Sequence, residues 1–127
     1  MKKELLSIEY VFDKVSKNIL WNHLTTPQGL SGWFADDVLV NENTFTFFWN
    51  KNGQEAEMIE MATLSSIRFR WLDEEDEDAY FEFRIHTIEV TGAVALEIID
   101  FVEPDEREQS LNLWDAQIKT LKRMLGM

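Results

Sequence analysis

Ile19-Leu20-Trp21-Asn22-His23-Leu24-Thr25-Thr26-Pro27-Gln28-Gly29-Leu30-Ser31-Gly32-Trp33-Phe34 is the stretch whose reading decides the fold. It is an aromatic helical segment placed between one strand and a long succession of strands. Before it, Leu6, Ile8, Tyr10 and Phe12 alternate with Ser7 and Glu9, so Leu5 to Phe12 reads as a half-buried strand. Asp13 offers an N-cap, and Val15, Ile19 and Leu20 follow at helical spacing, with Trp21 and Leu24 extending the apolar side. Thr26-Pro27 starts a second short helix, because Thr caps and Pro suits the first helical position. Gly29 and Gly32 let the segment turn tightly and deliver Trp33-Phe34 beside Asp36-Asp37.

Strands then come in quick succession. Asp37 to Asn41 is short, and Thr44 to Trp49 places Phe45, Phe47 and Trp49 on one face. Asn50-Lys51-Asn52-Gly53 is a hairpin turn, read from the tolerance of Asn and Gly for positive φ. Glu55 to Ala62 and Ser66 to Leu72 follow, the latter with Ile67, Phe69 and Trp71 inward and Arg68 and Arg70 outward. Asp73 to Asp78 is an unbroken run of six acids, read as a solvated hairpin loop because like charges repel. It lacks the glycine and ligand spacing of a calcium loop. Tyr80 to Ile88 and Ala93 to Phe101 form the last hairpin around Thr91-Gly92. Asp105 to Leu125 is one long amphipathic helix, with Leu111, Trp114, Ile118, Leu121 and Leu125 in a stripe. Asp105 and Glu108 have capping-box spacing, and Gly126 is a natural stop. The order predicts an α+β domain over residues 1–127, with six or seven antiparallel strands curled around the terminal helix and two short helices after the first strand.

The bulk numbers set limits on function. The 127 residues suit one domain, which buries about two-thirds of its unfolded surface. Aromatic residues make up 13 % of the chain, five of them Trp. Twelve basic and twenty-four acidic residues give a net charge of −12, which argues against nucleic acid or an anionic membrane surface as partner. The chain has no cysteine, which excludes thiolate chemistry and suits a reducing cytosol. With no apolar run near the ~20 residues that span a bilayer, the expectation is a cytoplasmic protein without membrane insertion.

The segment Ile8 to Val38 resembles the START-like superfamily, in particular its bacterial branch related to the Aha-type activators of the heat-shock chaperone ATPase. The resemblance rests on Tyr10-Val11-Phe12, on Trp21, on Leu24-Thr25-Thr26-Pro27-Gln28-Gly29-Leu30 and on Trp33-Phe34. Arg68-Phe69-Arg70-Trp71 and the terminal helix with Trp114 and Leu121-Lys122 are similar too. It implies a helix-grip fold with a hydrophobic cavity between helix and sheet. Members of the superfamily bind lipids, sterols, polyketides or hormones; some close rings and others bind a chaperone.

The ligand-binding candidates are Trp33, Phe34, Phe47, Trp49, Met58, Phe69, Trp71, Phe81, Phe83, Trp114 and Ile118. The sheet residues would line the concave face, and Trp114 and Ile118 would meet them from the helix. As a group these residues read first as core, and as the walls of a cavity if one exists. Trp33 and Phe34 read either as a gate at the cavity rim or as an anchor for the short helix. Glu60 shares a face with Met58 and Ala62 if strict alternation holds, which makes it a polar group in the cavity. A bulge would instead turn it out. His23 and His86 belong to no catalytic or metal-binding motif, and no phosphate loop or other cofactor motif is present. Three functions follow, in order: a non-enzymatic module for a small hydrophobic ligand, a chaperone-cofactor-like or self-associating homodimeric module, and a cyclase-like enzyme using Glu60 with Tyr10 or His86.

Overall fold

The computed structural model describes residues 2–127. Its elements in chain order are β1 (Glu4–Phe12), α1 (Lys17–Thr25), α2 (Pro27–Leu30), β2 (Asp37–Asn41), β3 (Thr44–Trp49), β4 (Asn52–Ala62), β5 (Ser66–Trp71), β6 (Phe81–Thr87), β7 (Val94–Val102) and α3 (Arg107–Met124). The seven strands form one open antiparallel sheet in the order β1-β7-β6-β5-β4-β3-β2. Strands β2 to β7 are therefore a meander, and β1 returns from the start of the chain to pair with β7. The helices α1 and α2 carry the chain from the β1 edge to the β2 edge. The expected α+β helix-grip architecture is the one observed.

Alternation along the strands makes one face of the sheet apolar. Leu6 and Phe12 of β1, Phe45 and Phe47 of β3, and Ile67 and Phe69 of β5 are buried. So are Phe81, Phe83 and Ile85 of β6 and Leu96 and Ile98 of β7. Trp114, Ile118 and Leu121 of α3 close this core from the other side, at the spacing of three and four that shares one helix face. The opposite face carries most of the polar side chains of the sheet, with Ala95 and Ile99 of β7 also buried on it. Glu82 is only 2 % exposed, held between Arg68 and Arg84 on neighbouring positions. The Arg68 guanidinium also lies over the Tyr80 ring, 3.9 Å from its centroid.

Several local expectations are corrected. The N-cap of α1 is Ser16, whose hydroxyl accepts from the Ile19 N–H at 3.1 Å. Asp13 instead lies in a turn with Lys14, which takes a positive φ of 62°. Thr26 does cap α2, accepting from the Gly29 N–H at 2.9 Å. In the β3–β4 hairpin the positive φ values fall on Asn50 and Lys51, and Gly53 is already in β4. No side chain caps α3. Pro104 to Glu106 form a single 3-10 turn, which moves the helix start past Asp105 and leaves the Asp105–Glu108 box unmade.

The acidic loop is not simply solvated. Lys3 reaches into it, its ammonium 2.7 Å from Glu74, whose side chain is 8 % exposed. Asp76 accepts from the backbone N–H groups of Lys3 and Asp78. The Arg70 guanidinium donates to the carbonyls of Glu77 and Ala79. Two cations thus organise a run of like charges that would otherwise repel. Among the described residues no helix is long and apolar enough to cross a membrane.

Candidate functional site

A cleft of about 160 Å3 opens between α3 and the concave face of the sheet. Phe34, Trp49, Trp71, Phe81 and Trp114 are its aromatic walls, joined by Asp100, Ser110, Leu113 and Gln117. Four of these, Ser110, Leu113, Trp114 and Gln117, lie on one face of α3 by spacing. Trp49, Trp71 and Phe81 come from the inward rows of β3, β5 and β6.

Phe34 joins the helix to the sheet. Its carbonyl accepts from the Trp49 indole N–H and from the Gln117 amide, each at 2.9 Å. Its ring packs against Trp114, nearly parallel at 5.8 Å, and edge-on against Phe47 at 4.9 Å. Trp33 is buried as well and donates its indole N–H to the His23 carbonyl at 2.9 Å. Burial and these bonds make the pair an anchor for α1 and α2 rather than a gate. Their approach depends on Gly29: a Cβ there would lie 2.2 Å from the Asn22 carbonyl oxygen.

The candidates therefore divide. Phe34, Trp49, Trp71, Phe81 and Trp114 meet at the cleft. Trp33, Phe47, Phe69, Phe83 and Ile118 are buried in the packed core, and Met58 is half-buried against it. Glu60 lies on the opposite face and not in the cavity, so of its two readings the bulge is the one observed. A bulge between Met58 and Glu60 breaks the alternation, so Glu60 pairs with Arg68 and lies 3.7 Å from its guanidinium, two-thirds exposed. The bulge does not bury its neighbours, since Ile59 and Met61 are each about half exposed. His86 is exposed on the same outer face. Tyr10 donates to Asp115 at 2.6 Å, and burial together with that carboxylate pushes its phenol well up. Glu60, His86 and Tyr10 are not brought together. Among the described residues no group of His, Asp and Glu has the arrangement of a metal site.

Asp100 is the wall residue that the apolar pattern alone does not single out. Its register partner is Leu6, and it continues the inward row Val94, Leu96, Ile98 of β7. Its carboxylate accepts from the Trp114 indole N–H at 3.0 Å and the Phe101 backbone N–H at 2.8 Å. Burial pushes its carboxyl up from the usual range, while those two donors and the Lys3 charge partly oppose the shift. Two polar depressions share walls with the cleft. One shares Trp71 and is bounded by Lys3, Glu74, Asp76 and Glu103. The other shares Asp100 and Ser110 and is bounded by Lys3, Glu103 and Glu106.

The model of the START-like superfamily domain matches residues 1–127. A solution structure of a Bacteroides fragilis protein is 44 % identical, with 100 % of this chain and 94 % of that one covered at a TM-score of 0.70. The solution structure of the Aha1 dimer from Colwellia psychrerythraea is 17 % identical, covers 94 % of this chain and 93 % of its own, and has a TM-score of 0.78. A Cytophaga hutchinsonii protein is 12 % identical, with 99 % and 96 % covered at a TM-score of 0.76. At that identity the last two show likeness of fold alone. No curated protein matches the chain.

Proposed function

The chain belongs to the START-like superfamily, and from that premise we propose that it is a non-enzymatic binding domain whose ligand inserts a small apolar group between α3 and the sheet. The observation that carries this reading is the aromatic-walled cleft of about 160 Å3. Pockets for drug-sized ligands run to about 300–1,000 Å3, so a sterol or a lipid chain would not be engulfed. An engineered apolar cavity of about 150 Å3 holds benzene, which sets the scale of the inserted group. The rest of the ligand would lie along the adjoining depressions. The separation of Glu60, His86 and Tyr10 supports binding over a cyclase-like reaction.

Native mass spectrometry of the protein from its own host, followed by denaturing extraction, tests this. A reproducible small adduct that is absent from Leu113→Trp, a bulkier side chain on an exposed wall position, supports the reading. A clean mass, with no movement of tryptophan indole resonances when benzene-sized fragments are added, overturns it.

One observation favours a second reading, a self-associating or chaperone-cofactor-like module. The edge strand β2 carries Leu39, 59 % exposed, beside a shallow depression that it shares with Phe48. An exposed edge with apolar side chains can pair with another chain. The dimeric state in the description of the Colwellia neighbour is compatible with this. Light scattering on wild type and Leu39→Lys decides it: a monomer at high concentration removes self-association.

A further inference from the structure

We propose that the group entering this cleft is a small organic cation, a substituted ammonium, held by the aromatic rings and by Asp100. The proposal rests on the cleft being the binding site and adds the chemistry of its occupant.

The first argument is the position of Asp100. The inward row of β7 is Val94, Leu96, Ile98, Asp100 and Val102, so one carboxylate interrupts a core-facing apolar row. A carboxylate in such a place is costly unless it is hydrogen-bonded and paired with a cation. Both donors that reach it are neutral N–H groups. The charged groups around it are Lys3 from the N-terminal segment, Glu74 from the β5–β6 loop, and Glu103 and Glu106 from the turn before α3. Lys3 is engaged by Glu74 at 2.7 Å. Among the described residues no cation forms an ion pair with Asp100.

The second argument is the wall. Five aromatic rings, three of them indoles, surround the space beside that carboxylate. Aromatic faces attract cations through the ring quadrupole, most strongly for Trp, and cages of this kind hold quaternary ammonium groups. The third argument is the field. Glu74, Glu103 and Glu106 rim the approach on a chain of net charge −12. Such a cleft concentrates cations and repels anionic ligands. The volume suits a trimethylammonium or benzylammonium head and little more.

Choline and its neutral carbon isostere dimethylbutanol separate charge from shape. Each is titrated into wild type, Asp100→Asn and Leu113→Trp, and affinity is read from the tryptophan indole resonances. Wild type should bind choline about tenfold more tightly than dimethylbutanol, between the scale of an exposed and that of a fully desolvated cation–π contact. Asp100→Asn should shrink that preference to the share held by the rings, and Leu113→Trp should weaken both ligands. Equal affinities in wild type overturn the cation assignment and leave the apolar-group reading standing. A choline affinity left unchanged by both substitutions places the cation elsewhere on the acidic surface and also overturns it. If neither ligand moves an indole resonance, both readings fail.

Discussion

Replacing Phe34 with alanine removes the ring on which the helix, the sheet and the α2 exit converge. Its centroid lies 4.9 to 5.8 Å from those of Trp33, Phe47, Trp49, Phe81, Phe83 and Trp114. It is 4 % exposed, so water does not compensate for its loss. Truncating a buried Phe to Ala costs about 3–5 kcal/mol, and favourable aromatic pairs add to the burial term. The upper half of that range, about 4–5 kcal/mol, is expected. Unfolding entropy is about 2.1 cal/mol/K per residue, so for a chain this long 1 kcal/mol shifts Tm by about 4 °C. Phe34→Ala should therefore melt about 15–20 °C below wild type in a calorimeter. The backbone carbonyl that receives Trp49 and Gln117 is untouched, so the variant should still fold. Phe34→Leu, which keeps an apolar filler, should lose less. A drop smaller than about 4 °C for the alanine variant would refute the argument, because the ring would then be a surface cover rather than a packing centre.

Other substitutions probe other parts of the structure. Gly29→Ala would bring a Cβ to 2.2 Å from the Asn22 oxygen and 2.6 Å from the His23 Cα, both backbone atoms. Overpacking of this kind costs about 1–3 kcal/mol or more, and an unchanged urea midpoint would mean that α1 and α2 pack less closely than described. Glu82→Ala leaves two guanidinium groups without their shared carboxylate and should cost about 3 kcal/mol, the low end for breaking a buried pair since both arginines retain some exposure. Wild-type stability after that substitution would disprove the role of the pair. Because burial raises the Asp100 carboxyl in the folded state, the native protein binds more protons than the unfolded chain between the ordinary carboxylate value and the raised one. Wild-type stability therefore falls as pH rises through that window. Asp100→Asn should lose this dependence and match or exceed wild type at neutral pH; a less stable variant there would contradict the account. Glu74 has the opposite sign. Burial pushes its carboxyl up, but the Lys3 hydrogen bond and the Asp76 N–H outweigh it and hold it low. Its stabilisation is present above the ordinary carboxylate range and is lost as pH falls through the depressed value. Lys3→Met should weaken that acid-side dependence, as read by carboxyl NMR titration.

Alternation and helical spacing made the concave face legible, because both periods report burial against a single core. That is why Phe47, Phe69, Phe81, Phe83, Trp114 and Ile118 could be assigned to it before any contact was known. What periodicity misses is whether an inward side chain touches another side chain or an opening. Trp71 and Phe69 lie in the same row of β5, yet only Trp71 borders the cleft. Asp100 carries a signal that an apolar pattern discards: it is in phase with Val94, Leu96 and Ile98, and a polar residue in an inward row is worth more notice than an apolar one. Glu60 needed the bulge to be placed, and a bulge depends on its partner strand. The acidic run is the hairpin loop expected, most of its acids exposed, but its contacts with Lys3 and Arg70 could not be read from the run alone. Lys3, which settles Glu74, lies far away in sequence. The caps at Asp13 and Asp105 failed for a local reason, since a turn at Lys14 and a 3-10 turn after Glu103 came first.

The pairing of β1 with β7 has a consequence for how the chain assembles. Each hairpin from β2 to β7 joins neighbours in sequence and can form by short-range closure. β1 docks only when residues from opposite ends of the chain meet, as in the register Glu4 to Val102. Contacts of such high sequence separation slow folding, so β1 docking is expected to be the late step. Until then β7 presents an unfilled ladder of N–H and C=O groups. The β1 of another copy fits that ladder as well as the chain's own, which makes strand exchange between molecules the natural misassembly of this topology when it refolds at high concentration.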